Sequence, residues 1–293
     1  MASGILNVNK PAGPSSFAIV RTVRRLPGVT KVGHGGTLDP AADGVLPVLV
    51  NAATRLADFI HEWPKTYRAS VKFGFTSDTG DREGTIMAAG DAGNLSREQI
   101  EQALPAFIGR IEQRPPAFSA LKQGGEAMYR KARRGEAVDR RPRPVVVDAL
   151  RLLDFDSASA TARLEVRSGR GMYVRSLAED LGAALGCGAY LQGLTRTDVG
   201  PLALTGSITP ASLQEAGDAW TSFLLPMDLP IRTWPAIALD AGAAEAVRQG
   251  QSVAAPKDAA GRFRMLDPEG RLLAWGEVDV RRQRLQPRAV FSS

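Results

Sequence analysis

The stretch VGHGGTLDPAADGVLPV, residues 32–48, is the most unusual in the chain. It gathers Gly33, Gly35, Gly36 and Gly44 with Pro40 around one carboxylate, Asp39, and one imidazole, His34. Such glycines and a proline argue against regular helix or a central strand, so a loop is expected. Glycine-rich loops often cradle phosphate, but neither GxxxxGKS/T nor GxGxxG between a strand and a helix is present. A nucleotide-dependent enzyme is therefore disfavoured for want of the phosphate-loop lysine. What remains is a carboxylate able to act as nucleophile or charge stabiliser. By residue type alone, Asp39 before Pro40 equally suits an Asx turn. His34 alone suits a structural or surface role as well as a ligand role.

Other chemistries are narrowed by composition. Cys187 is the only cysteine, which leaves no intramolecular disulfide and no thiolate metal cluster. His34 and His61 are the only histidines, which argues against a multi-histidine metal site. There is no apolar run of about 18 residues, and the N-terminus lacks a charged segment followed by a long apolar one. The chain is thus expected to be soluble and cytoplasmic. Its 293 residues, 44% of them hydrophobic, suffice for one large domain or a medium plus a small one.

The elements that must position these residues are legible in outline. Ser15-Ser16 followed by FAIVRTVRRL predicts a capped amphipathic helix with Phe17, Val20 and Val23 or Leu26 inward. Residues 52–61 predict another, burying Leu56, Phe59 and Ile60. In TYRASVKFGF, Tyr67, Ala69, Val71, Phe73 and Phe75 alternate as in a half-buried strand. SDTGDREG is turn-rich. Ser96 and Gln99 form a capping-box pattern before a short helix whose regularity Pro105 limits. VVVDALRLLDF and TARLEVRSG predict two strands of a meander. Val174, Leu177, Ala178, Leu181 and Leu185 predict a helix running into Gly186. Strands and helices alternate without a βαβ rhythm, which indicates α+β with a mixed sheet. Near residue 229 LPMDLPIRTWP reads as a boundary. Beyond it come a short helix (about 241–249), the strands RFRMLD and RLLAWGEVDV around the turn at 268–270, and a last strand in LQPRAVF. These describe a small β-rich module docked on the main domain.

The 37 Lys+Arg and 31 Asp+Glu leave a net charge of +6. Residues 110–143 hold ten Lys/Arg and four Asp/Glu, and so account for all of it. This stretch contains Pro115, Pro116 and Pro142 and is followed by Pro144, with a short basic helix expected from about Glu126 to Arg134, stopped by Gly135. It is either a solvated insertion or an electrostatic clamp for phosphate.

GHGGTLDPAADGVLPV resembles, nearly position for position, the signature loop of the TruB-type pseudouridine synthases. Four further segments agree in order. NKPAGPSSF is similar to that family's KPxGxSS opening, with Asn9 where Asp is frequent. KTYRA resembles its aromatic strand motif. PPAFSALKQGGEAMYRKARRGE resembles its RNA-gripping arm, and SGRGMYVRSLAEDLG its late tyrosine–arginine motif, followed by LTRTDVG. The resemblance runs from about residue 4 to 228, with a weaker likeness of the C-terminal module to a PUA-like domain.

The resemblance implies an α+β mixed-sheet catalytic domain at 1–228, an RNA-binding insertion at about 110–143, and a PUA-like RNA-binding domain at 229–293. It implies isomerisation of a uridine to pseudouridine in the T-arm loop of tRNA, at position 55, without cofactor or metal. That reaction exchanges a C1′–N1 bond for a C1′–C5 bond, with no net redox change. Asp39 would be the nucleophilic carboxylate, whether it attacks C1′ or C6 or a glycal forms. Arg175 would be its partner, otherwise an ordinary helix-surface arginine. Tyr67 would pack on the base and serve the C5 proton transfer, or simply fill its strand's core. Tyr173 and Leu194 would line the uracil pocket, His34 would hold the extruded nucleotide, and Lys10 would support the loop. Lys122, Arg130, Lys131, Arg133 and Arg134 would grip the RNA backbone. No membrane, guide RNA or obligate protein partner is expected, and the chain is expected to be a monomer. A non-catalytic RNA-binding protein on the same scaffold is the alternative, but it would be expected to lack Asp39, Tyr67 or Arg175.

Overall fold

The computed structural model describes residues 1–291 except Ala120; the side chains of Lys122 and Ala127 also lie outside it. The chain begins with β1 (Gly4–Lys10), α1 (Ser16–Arg24), β2 (Val32–His34), β3 (Asp43–Val50), a 3-10 turn at Asn51–Leu56, α2 (Ala57–His61) and β4 (Lys65–Phe73). A small hairpin of β5 (Phe75–Ser77) and β6 (Ile86–Ala88) leads to α3 (Arg97–Ala103) and β7 (Gly109–Gln113). The arm holds β8 (Lys122–Gln123), β9 (Glu126–Ala127) and α4 (Met128–Arg133). Then follow β10 (Arg143–Asp156), β11 (Thr161–Ser168), α5 (Val174–Ala184), β12 (Ala189–Val199), β13 (Leu202–Ala203) and α6 (Pro210–Glu215). The last part comprises β14 (Ala236–Ala238), α7 (Ala241–Arg248), β15 (Val253–Ala254), β16 (Arg262–Leu266), β17 (Leu272–Asp279) and β18 (Arg284–Val290).

Nine strands form one mixed sheet in the order β1-β3-β12-β4-β11-β10-β7, with β13 on β12 and β2 on β3. Among the described residues only β3 and β12 run parallel within it. Both faces of β1 and β3 are covered, which explains their near-continuous apolar runs. Leu6, Val8, Leu46 and Val48 pack against Ile19 and Val23 of α1, while Ile5, Val45 and Leu49 pack on the other face against Leu56 and Ile60. In the other half of the sheet, Ala69, Val71 and Phe73 of β4 join Leu164, Val166 and Leu191 beneath Val174, Leu177 and Leu181 of α5.

Local signals were followed closely. Ser15 caps α1 by accepting from the Ala18 N–H, and Ser96 with Gln99 forms a complete capping box. Three expectations need correction. Phe17 is 64% exposed, not inward, because Ser16, Ile19, Val20 and Val23 form the face of α1 that meets the sheet. Phe75 leaves the β4 alternation for the separate hairpin, after a break at Gly74. Gly44 lies inside a central strand. Its φ is +105°, and a Cβ there would stand 2.2 Å from the Arg196 carbonyl oxygen, so glycine is what lets β12 pair beside β3.

The five-stranded sheet β14-β16-β17-β18-β15 has its own core around Ala244, Val247, Met265 and Leu285. It meets the main sheet through an aromatic cluster: Phe59 of α2 is edge-on to Trp234 at 4.9 Å and to Trp275 at 5.3 Å. The guanidinium of Arg262 covers the rings of Phe59 and Trp234. Among the described residues no helix is long and apolar enough to cross a membrane. Replacing Trp234 with Ala should cost about 3 kcal/mol, at the low end for a large aromatic because the ring is half-buried. Urea unfolding of the full chain should show this loss and a split transition as the two sheets uncouple.

Candidate active site

Asp39 lies on the loop between β2 and β3. There β3 changes neighbour: it pairs with β2 at Val48–Val50 and with β12 at Asp43–Gly44. The loop is pinned on both sides of the carboxylate. Ser16 Oγ accepts from the Leu38 N–H at 2.8 Å and donates to the Leu38 carbonyl at 2.9 Å. Lys10 Nζ donates to the carbonyls of Pro40 (3.3 Å), Pro11 (2.9 Å) and Pro14 (2.9 Å). The Ala42 N–H donates to the Asp39 carbonyl, which closes a turn. The N-terminal KPAGPSS segment therefore has a physical task, namely to immobilise the residues flanking Asp39. Lys10 is wholly buried, and burial pulls its pKa down to about 8 against the attraction of Asp43 and Asp39.

Arg175, 4% exposed, lies in the first turn of α5. Its guanidinium meets Asp39 Oδ2 at 3.0 Å and Asp81 Oδ2 at 3.7 Å, and donates to the carbonyls of Thr79 (3.0 Å) and Phe118 (2.9 Å). The site thus brings together residues 136 positions apart in sequence. The Asp39 side chain keeps 38% of its surface open while protein surrounds the rest. Its pKa is raised: loss of hydration and the neighbouring Asp81 outweigh the opposing Arg175 and Lys10. Arg175 thus limits the rise without cancelling it.

Leu194 lines a cleft with Asp39, Ala41, Asp81, Arg82 and Leu191. Tyr67 is half-buried on β4 at the register position of Arg196, and its phenol lies against that guanidinium. Tyr173 caps α5, its backbone N–H and C=O both bonded to the side chain of Gln113 (2.8 and 3.1 Å). Burial pushes the Tyr173 phenol upward, opposed by a hydrogen bond with Ser119. His34 ends β2, and its Nδ1 accepts the Gly36 N–H at 3.3 Å. It borders the Asp39 loop but does not line the cleft.

Three residues escaped the sequence reading. Asp81 sits in the turn-rich SDTGDREG, where acidic residues are unremarkable, yet its carboxylate is the second anion beside Arg175. Arg196 lies in LTRTDVG, and Gln113 at the edge of the arm. No local periodicity marks either of them.

The arm leaves the sheet at Gln113 and re-enters at Arg143, which are paired with each other. Ser176 of α5 donates to the Arg114 carbonyl, and Arg140 pairs with Glu179 of α5. On α4, Arg130 and Arg133 are exposed and Lys131 half-buried, with the Tyr129 ring between the two arginines at 5.9 and 5.8 Å. Arg134 is instead engaged by both oxygens of Glu126 and by Glu136. The Lys122 side chain lies outside the described residues.

The mixed sheet carries a pinned aspartate against a buried arginine at the start of a central helix, and comparison with known proteins places this chain among the pseudouridine synthases. Residues 24–174 match the TruB family pseudouridylate synthase N-terminal domain, and 175–231 the tRNA pseudouridylate synthase B C-terminal domain. Residues 235–291 match the C-terminal domain of pseudouridine synthase II TruB. The tRNA pseudouridine synthase B of Pseudomonas aeruginosa (strain UCBPP-PA14) is 42% identical over 99% of this chain and 96% of its own length. That of Aromatoleum aromaticum is 41% identical over 95% and 90%. Among solved structures, a chain of a Cbf5-Nop10-Gar1 complex aligns with TM-score 0.69 and 27% identity, covering 94% of this chain and 78% of that one. A chain of an H/ACA RNP bound to a substrate RNA containing 2′-deoxyuridine aligns with TM-score 0.72 at 24% identity over 99% and 85%, a likeness of fold. The chain belongs to the TruB family of tRNA pseudouridine synthases, isomerases that convert uridine to pseudouridine in tRNA.

Both histidines titrate low. Burial holds His34 and His61 below the ordinary 6.5, helped at His34 by His61 and Arg196 and at His61 by Arg170 and Lys65. Unfolding lets each bind protons more readily, so the unfolded chain takes them up first and stability falls as pH drops through 6.5. NMR titration of the imidazole C2–H signals should give two midpoints below 6.5, and a His34 midpoint at or above that would contradict the structure.

Proposed function

We propose that this enzyme isomerises a specific uridine in the T-arm loop of tRNA, position 55 by family resemblance, after extruding the base from its stack. Asp39 is the reactive carboxylate. The observation that carries this is its contact with the buried Arg175 guanidinium on a loop pinned at Leu38 and Pro40.

A uridine in a folded loop hides its ring carbons, so extrusion costs roughly a few kcal/mol, offset by contacts in the pocket. Leu194 and Tyr173 offer an apolar wall and a ring for the base, and Tyr67 a stacking face. The route from Asp39, whether a bond to C1′, a bond to C6 or proton abstraction to a glycal, starts from the ionised carboxylate, which Arg175 favours. The C1′–N1 bond breaks, the uracil turns, and C1′ bonds to C5. The C5 proton then departs, with Tyr67 placed to serve its transfer, and N1 gains a proton. Atoms and electrons balance within the substrate, so no cofactor is required.

Arg130, Lys131 and Arg133 grip backbone phosphate, which positions the RNA without reading sequence. Arg134 contributes less than its charge suggests, because Glu126 and Glu136 already engage it. Residues 1–228 form the catalytic domain and 229–293 a PUA-like RNA-binding module. In support, Arg284 lines a second cleft on the sheet of that module with Arg282 and Arg288, the latter two paired with Asp279 and Glu277. The enzyme needs neither guide RNA nor a protein partner and acts as a monomer.

Tritium release from C5-labelled uridine in transcribed tRNA tests the reaction. Asp39→Asn should lower the rate by roughly 10⁴-fold or more while tRNA binding persists. No release by the wild type would leave only the RNA-binding reading. Reversing Arg130, Lys131 and Arg133 to Glu should weaken tRNA binding and flatten the salt dependence of log Kd by about 0.7 for each lost phosphate contact. An unchanged slope would remove α4 from the RNA interface.

A further inference from the structure

Arg196 is 1% exposed, and among the described residues no carboxylate comes within 4.0 Å of its guanidinium. A buried cation without a counter-ion is a costly arrangement that an apolar side chain of similar volume would avoid. What surrounds it here is a set of acceptors from the reaction site. Nε donates to the Val45 carbonyl at 2.8 Å, Nη1 to that of Thr37 at 3.2 Å and Nη2 to that of Gly36 at 2.9 Å. Burial lowers the Arg196 pKa, and the Tyr67 phenol against the same guanidinium and then Asp39 oppose that shift.

The placement follows from sheet register. Arg196 is paired across β12 with Tyr67 on β4 and with Gly44 on β3. Gly36 and Thr37 precede Asp39 on its loop, and Val45 follows it on β3. One side chain therefore spans both ends of the Asp39 loop and the aromatic group across from it. Arginine suits this task because its planar fork holds several acceptors at fixed angles, whereas lysine offers a single nitrogen.

We propose that Arg196 is a positioning residue for the isomerisation: it ties the Asp39 loop to Tyr67 and holds carboxylate and ring at the spacing the bound uridine requires. This rests on the roles given above to Asp39 and Tyr67.

The test is single-turnover pseudouridine formation on C5-tritiated tRNA with enzyme in excess, corrected for the folded fraction by circular dichroism, alongside tRNA Kd. Arg196→Lys keeps the charge but not the fork, and should slow the chemical step by about 10²-fold, the scale of a misplaced reacting group, with Kd essentially unchanged. In a Tyr67→Phe background its penalty should shrink, because the tether has already lost one end. Arg196→Gln serves as a second variant should the lysine substitution not fold.

A wild-type single-turnover rate in folded Arg196→Lys or Arg196→Gln, penalties that multiply fully with Tyr67→Phe, or failure of both variants to fold would each overturn the proposal. Asp39→Asn measured in parallel separates the two readings. Activity surviving there overturns the role of Asp39 itself. An inactive Asp39→Asn beside a fully active Arg196→Lys overturns only the role of Arg196.

Discussion

The guanidinium of Arg175, almost entirely withdrawn from water, needs protein acceptors for its N–H groups. Asp39, Asp81 and the carbonyls of Thr79 and Phe118 supply them. These groups come from the β2–β3 loop, the turn after β5 and the arm. Removing both carboxylates would leave this charge buried without a counter-ion, which is far costlier than losing a surface pair. Three otherwise independent segments thus converge on one side chain. The same contact limits the rise in the Asp39 pKa that burial imposes.

A carboxylate on a glycine-rich loop would ordinarily wander. Here Ser16 holds Leu38, Lys10 holds Pro40, and Arg196 holds Gly36 and Thr37. Supporting hydrogen bonds of this kind keep a functional group near its working geometry before substrate arrives. The loop also emerges where β3 exchanges β2 for β12 as its neighbour, so the rigid sheet lies directly beneath it. The arm is built differently. Its ends meet at the Gln113–Arg143 pair, which lets it carry the whole net charge without disturbing the core. Yet its root is joined to α5 through Gln113, Ser176 and Arg140, the same helix that bears Arg175.

The Ser15 and Ser96 caps, the alternation of β4 from Ala69 to Phe73 and the apolar stripe of α5 were all readable, because each depends on neighbours a few positions away. Phe17 was misplaced because the inward phase of a helix depends on which stripe meets the sheet. Gly44 was misread because its strand position depends on the close approach of β12, which no nearby residue announces.

Five ordered motifs in the chain sufficed to indicate the family and the α+β class, since residue types and short spacings are local properties. Which charges meet was another matter. Asp81 and Arg196 are ordinary residues in their own segments, and their surroundings arise from strand register and from contacts across scores of positions. Hydrogen bonds and burial change steeply over an ångström or two. The fate of each charged group was therefore settled only when the sheet closed and fixed those distances.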